Sequence, residues 1–167
     1  MDATWRAIIW RQFGASIEMV ENAVAACPEW LWGDRSRRPE FWYVVYHTLF
    51  WLDLYLSGAA EGFAPPAPFA LAETDPAGLM PERVYTKGEL QAYLEHGREK
   101  CRAAVENLTD EAARRRCRFS WGEVSFAELL LYNMRHVQHH AAQLNLMLRQ
   151  ATDAAPGWVA RSECVGE

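Results

Sequence analysis

Apolar residues recur along most of the chain at three- and four-residue steps, the period of helices that bury one face. Ile8, Ile9, Phe13, Ile17, Val20 and Val24 mark a first helix from about Thr4 to Ala26, after which Pro28 and Gly33 break the pattern. A second helix begins near Pro39, which suits a first-turn position, and runs from Phe41 through Leu56 to a stop at Gly58. It is apolar on nearly every side, so it needs cover from its own bundle on one face and from a loop or a second subunit on the other. Residues 58–82 carry Pro65, Pro66, Pro68, Pro76 and Pro81 among Ala and Gly, which predicts an irregular crossover.

Thr86-Lys-Gly-Glu89 has the form of a capping box, in which two side chains satisfy the orphan amides of a helix start. The seam Leu90, Leu94, Gly97, Cys101 and Ala104 continues it as a third helix, ending near Asn107. Leu108 to Gly122 reads as a connection with one helical turn over Asp110 to Arg114. Ser125-Phe-Ala-Glu128 is a second capping box, and the apolar stretch behind it predicts a fourth helix to about Gln150. No Asn-Gly turn sits between alternating segments, so no strand pair is predicted. The fold class is therefore all-α, a four-helix bundle over residues 1–151 with a long crossover between its second and third helices. Residues 152–167 form a tail on its surface, with Trp158 as the expected anchor.

A chain of 167 residues, half of them hydrophobic and eight of them Trp, builds a core large enough to fold without disulfides or structural metal. A metal, if bound, is then there for chemistry. The net charge of −5 leaves no broad basic face for nucleic acid, and Arg35, Arg37, Arg38 and Arg114 to Arg116 read as solvated loop ends. Phe41 to Leu56 falls short of the ~20 apolar residues of a membrane span and is interrupted by His47 and Asp53, so no membrane association is expected. The start, Met-Asp-Ala-Thr-Trp-Arg, lacks a secretory pattern, which places the protein in the cytoplasm. Cys27, Cys101, Cys117 and Cys164 lie far apart with no Cys-x-x-Cys pair and read as reduced, packing thiols.

The candidate chemistry lies in the histidines. His136 and His140 are four residues apart on the fourth helix, so one turn stacks them with Cβ atoms ~6 Å apart, within reach of one ion at Zn–N distances of ~2.0–2.1 Å. Leu129, Tyr132, Asn133, Leu144 and Met147 continue their stripe inward. His47, between Tyr43 and Trp51 in the apolar second helix, is the natural third ligand. A crossover of this length can return the third helix parallel to the second and leave the fourth antiparallel to it. His47 then sits ~10 Å below one end of the bundle and His140 and His136 ~15 to 21 Å below the same end. The competing reading makes His47 a core histidine bonded to a backbone carbonyl, with the other two as polar neighbours. His139 reads as exposed or as a partner behind a ligand and not as a ligand itself, His96 reads as solvent-facing, and Gln143 and Asn133, one turn from the pair, could orient an imidazole or serve only core polarity.

A histidine inside an apolar second helix, a Pro-rich crossover, and His-x-x-His-His-x-x-Gln over His136 to Gln143 together resemble the DinB-like superfamily of metal-binding proteins. The resemblance covers all four helices. It implies an up-down-down-up bundle, a homodimer, and metal ligands at His47, His136 and His140. Many members carry Gly before the Gln where this chain has Ala142, which leaves the ligands untouched. It further implies transferase or isomerase activity with a low-molecular-weight thiol such as bacillithiol, mycothiol or glutathione.

Three neutral imidazoles leave a divalent ion its full charge and at least one open position, the pattern of catalytic sites. Zinc or nickel suits them, with ferrous iron a third candidate. Thiol transfer and hydrolysis of a small-molecule substrate are both open to such a site. Di-iron chemistry is disfavoured because no Glu-x-x-His pair occurs. Arg35, Arg37 and Arg38 would stand at the bundle end nearest the metal and could draw in a carboxylate. No acid or base can be assigned: Tyr43, Tyr46, Asp53 and Glu128 lie on the right helices, but the period does not fix which way they face. A non-catalytic dimeric metal-binding or stress-associated module is the alternative to an enzyme.

Overall fold

The helical period read from the sequence becomes four long helices in a computed structural model that describes residues 2–75 and 80–163. Helix α1 spans Ala3–Ala26, and Asp2 starts it by accepting the Trp5 N–H at 3.0 Å. Phe13, Ile17, Val20 and Val24 are buried as expected, whereas Ile8 is exposed. A one-turn helix α2, Glu29–Trp32, follows. Helix α3 spans Phe41–Ser57 with Glu40 as its N-cap, so Pro39 lies just outside the helix and not in its first turn. It stops at Gly58, whose φ of 77° belongs to the left-handed region and whose missing side chain makes room for the Arg115 guanidinium.

Helix α4 spans Lys87–Glu106 behind a capping box in which both the Thr86 and the Glu89 bonds form, and Asn107 closes it. Leu90, Leu94, Gly97 and Cys101 are buried in its seam, while the last turn is buried through Val105 and not Ala104. Gly97 permits a close approach to α3, since a Cβ there would stand 2.9 Å from the Leu52 Cδ2. Helix α5 forms over Asp110–Arg114. Helix α6 spans Phe126–Thr152, with Ser125 accepting the Glu128 N–H at 3.2 Å. The reciprocal Glu128 bond is not among the described ones, so this cap is one-sided.

The expectation of no strand pair is overturned. Arg116–Phe119 (β1) and Gly122–Ser125 (β2) form an antiparallel hairpin in which Phe119 pairs with Gly122 around a two-residue turn, Ser120-Trp121. Its strands are too short to show a period, and what holds them is tertiary. Phe119 meets Tyr55 edge-on at 5.1 Å, and Trp121 stacks on Tyr132 at 4.5 Å. Arg116 and Arg118 both pair with Glu123, so the second arginine cluster is partly neutralised.

Helix α1 packs on α4 and α6, and α3 packs on the same two, so the four surround one core that includes Phe13, Ile17, Leu49, Leu52, Leu129 and Leu144. Every residue of α3 is buried except the half-buried Tyr43, His47, Trp51 and Ser57. The chain's own crossover supplies part of the cover: the Tyr46 hydroxyl donates to the Ala70 carbonyl at 2.8 Å, and Phe69 stacks on the Tyr46 ring at 6.1 Å. The crossover also contains a 3-10 turn, Leu71–Thr74, and Pro76 lies outside the described residues.

The tail returns along α1. Ser162 donates its N–H to the Arg11 carbonyl at 2.9 Å and its hydroxyl to Glu18, and the Trp10 indole donates to the Glu163 carbonyl at 2.9 Å. Ser162 is the buried anchor, against expectation, and Trp158 is 70% exposed. Cys27, Cys101 and Cys117 are buried free thiols, and burial pushes the Cys27 thiol up to about 12. Cys164 lies outside the described residues. Among the described residues no helix is long and apolar enough to cross a membrane.

Candidate metal centre

Helix α3 presents Tyr43, His47 and Trp51 as a stripe at four-residue spacing, the one face its neighbours leave half-buried. Helix α6 brings His136 and His140 to meet it. The ring centres stand 5.4 Å apart for His47 and His136, 4.8 Å for His47 and His140, and 4.5 Å for His136 and His140. One ligand atom from each lies within 4.8 Å of the others. His47 Nε2 and His136 Nε2 are 3.4 Å apart. Two nitrogens on tetrahedral bonds of ~2.0–2.1 Å would stand about 3.4 Å apart, so this pair already has the spacing of a shared ion.

The outer edges of two rings decide which nitrogen faces inward. His47 Nδ1 is 2.6 Å from Glu73 Oε2, and an ionised carboxylate only accepts, so the proton sits on Nδ1 and the Nε2 lone pair is free. His140 Nδ1 donates likewise to Gln143 Oε1 at 2.6 Å, while the Gln143 amide lies 3.1 Å from His139 Nε2. His136 Nδ1 is buried with no hydrogen-bond partner. Acceptors behind metal-facing imidazoles are a recurrent feature of histidine metal sites. The donor set fits a divalent transition ion.

Electrostatics agree. Burial, followed by the neighbouring imidazoles, lowers His136 to about 3, and burial lowers His140 to about 4 against the opposing Gln143 bond. Both rings are thus neutral at physiological pH, the state that ligates. Burial alone would raise the Glu73 carboxyl, but bonds from His47, Tyr43 and Trp51 outweigh it and hold the group below its usual range. Trp51 Nε1 donates to it at 3.0 Å. Sequence reasoning missed Glu73 entirely. Its only signal is that residues 69–75 interrupt the proline run with no Pro or Gly, which permits a helical turn.

The remaining candidates separate. Gln143 orients His140, and His139 is exposed. Asn133 is buried with its amide on the Leu52 carbonyl at 3.0 Å, which fastens α6 to α3 and orients no imidazole. Asp53 faces α4, where Lys100 Nζ donates to it at 2.5 Å, the Tyr93 hydroxyl at 3.2 Å, and His96 lies 3.5 Å away. His96 is exposed, as expected, with Asp53 as its neighbour. Tyr46 is bonded to Ala70, and burial raises both the Tyr46 and Tyr43 phenols, with the Glu73 charge adding to the rise at Tyr43, so neither is poised as an acid or base. Glu128 is exposed at the start of α6. Arg37 pairs with Asp34 at 3.3 Å, and Arg35 and Arg38 are exposed.

A family model described as the DinB superfamily matches residues 12–144. Among solved structures, the chain is similar to a DinB-like protein of Bacillus subtilis, with 18% identity and a TM-score of 0.56, over 90% of this chain and 94% of that one. No curated protein matches it.

Proposed function

The chain belongs to the DinB superfamily, and on that footing we propose that it is a cytoplasmic metal-dependent enzyme acting on a small-molecule substrate, with His47, His136 and His140 as ligands. The reading takes α1, α3, α4 and α6 as the rods of an up-down-down-up bundle that works as a homodimer. One observation carries it: three imidazoles on two helices converge while Glu73 and Gln143 hold the outer nitrogens of two of them. An ion held there, zinc or nickel foremost and ferrous iron third, would act as a Lewis acid and lower the pKa of a thiol or water. The residues then divide the work. Glu73 and Gln143 present Nε2 lone pairs, Asn133 keeps α6 seated on α3, and Tyr55, edge-on to His136 at 6.2 Å, screens that ring from water. The reaction is thiol-dependent transfer or isomerisation, with hydrolysis as the variant that uses water in place of thiol.

A second reading, a non-catalytic metal-binding or stress-associated module, is favoured by a specific observation. Tyr46 and Asp53 are committed to structural bonds, burial raises the Tyr43 phenol, and Glu128 stands exposed. Metal analysis of wild type beside His47→Ala, His136→Ala and His140→Ala tests the shared premise, and equal metal in all four ends both readings. Turnover assays with bacillithiol, mycothiol and glutathione against electrophiles and esters separate them, because the module binds metal without turnover.

A further inference from the structure

We propose that Glu73 is a positioning residue for His47, and that through it the crossover turn and the bound ion stabilise one another; this rests on the reading of the three histidines as ligands. The stripe Tyr43, His47 and Trp51 is the face of α3 that the other helices leave half-buried. One carboxylate from a different part of the chain takes a hydrogen bond from two of them, His47 Nδ1 at 2.6 Å and Trp51 Nε1 at 3.0 Å, and its charge helps burial raise the phenol of the third, Tyr43. The Glu73 side chain is only 5% exposed, so water does not compete for these bonds as it would for a surface pair.

The turn that carries Glu73 is itself seated on α3. Ala70, just before it, accepts the Tyr46 hydroxyl at 2.8 Å, and the Thr74 hydroxyl closes the turn on the Leu71 carbonyl at 2.8 Å. Seating the turn therefore sets the His47 tautomer. With the carboxylate in place the proton is on Nδ1 and Nε2 points a lone pair at His136 Nε2, 3.4 Å away. Without it the proton redistributes over both nitrogens and the ring turns freely, so an ion must pay for the ordering. Linkage makes the effect reciprocal: whatever factor the seated turn adds to ion affinity, the ion returns to the seating of the turn. Loss of such an orienting partner weakens metal affinity by ~10–100-fold.

The test uses the full chain as wild type, Glu73→Ala and Glu73→Gln, with His136→Ala as control. Zinc affinity is measured against a competing chelator, amide exchange over residues 69–75 is followed with and without zinc, and the His47 tautomer is read by 15N NMR in chelated protein. Glu73→Ala is expected to weaken zinc ~10–100-fold, and Glu73→Gln, which keeps a carbonyl acceptor but no charge, to recover part of the loss. Zinc should slow exchange over the turn in wild type and not in Glu73→Ala, and wild-type His47 should carry its proton on Nδ1. Zinc affinity unchanged in both Glu73 variants while His136→Ala loses it overturns this inference alone, as does a wild-type His47 protonated on Nε2. A wild type that takes up no zinc overturns the ligand reading and this inference with it.

Discussion

Asp53 offers the sharpest separation of fold from site, because it shares a helix with His47 and yet the structure seats it against α4. Its carboxylate is 1% exposed and is held by Lys100 at 2.5 Å, with Tyr93 at 3.2 Å on its other oxygen. Lys100 also donates to the Asp53 carbonyl at 3.1 Å and the Ser57 hydroxyl at 2.7 Å. The substitution Lys100→Met keeps the apolar stem and removes the charge, leaving a buried carboxylate with the Tyr93 hydroxyl and His96. Breaking one side of a buried pair costs ~3–5 kcal/mol. The Lys100 side chain is 31% exposed, so water reaches it and the lower end, ~3 kcal/mol, is the better estimate. For a domain of this size ~1 kcal/mol shifts Tm by ~2–4 °C, which gives a fall of ~6–12 °C. The double change Asp53→Asn, Lys100→Met removes both charges and should lose less than the two single changes together, with a coupling of ~1–3 kcal/mol in the urea-unfolding cycle. Zinc content should not change in any variant that stays folded, because His47 faces α6 and the crossover. A single-variant loss below ~1 kcal/mol, the worth of an exposed pair, would refute the buried-clip argument, and zinc lost from a folded Lys100→Met would return Asp53 to the site.

Two further expectations concern the helix interfaces. In chelated protein His136 and His140 sit below their ordinary value, at about 3 and about 4, so the unfolded chain binds more protons as pH falls below about 6.5. Their contribution is whole above that value and is lost on acidification toward the folded values, at about 1.4 kcal/mol per pH unit for each ring; parallel stability profiles for wild type and His136→Leu between pH 7 and 4 would disprove it. The change Gly97→Leu drives a side chain into Leu52 at the α3–α4 contact and should cost ~1–3 kcal/mol by urea unfolding, and an unchanged midpoint would mean the helices do not meet there.

Legibility followed the range of the forces. His136 and His140 could be paired from the sequence because four-residue spacing on one helix fixes their proximity through local geometry. His47 could be added because an imidazole in so apolar a helix needs a partner. The capping box at Thr86 and the stop at Gly58 were equally local. Pro39 was misplaced by two residues at a helix start, where sequence signals are least sharp. The facing of Asp53 was not legible, because periodicity says that a residue is buried without saying which neighbouring helix it meets.

Helix positions, the apolar character of α3 and the histidine pair are thus properties of the chain itself, set by hydrogen bonds and side-chain spacings that span one or two turns. The hairpin over Arg116–Ser125, the anchoring of the tail at Ser162, and the carboxylate behind His47 were decided only on folding. The hairpin is short but rests on Tyr55 and Tyr132 from other helices, and the other two join residues far apart in the chain, Glu73 lying 26 positions from His47 and Ser162 lying 144 from Glu18. Only the closing of the core, which brings such residues within bonding distance after long loops have lost their freedom, selects those partners.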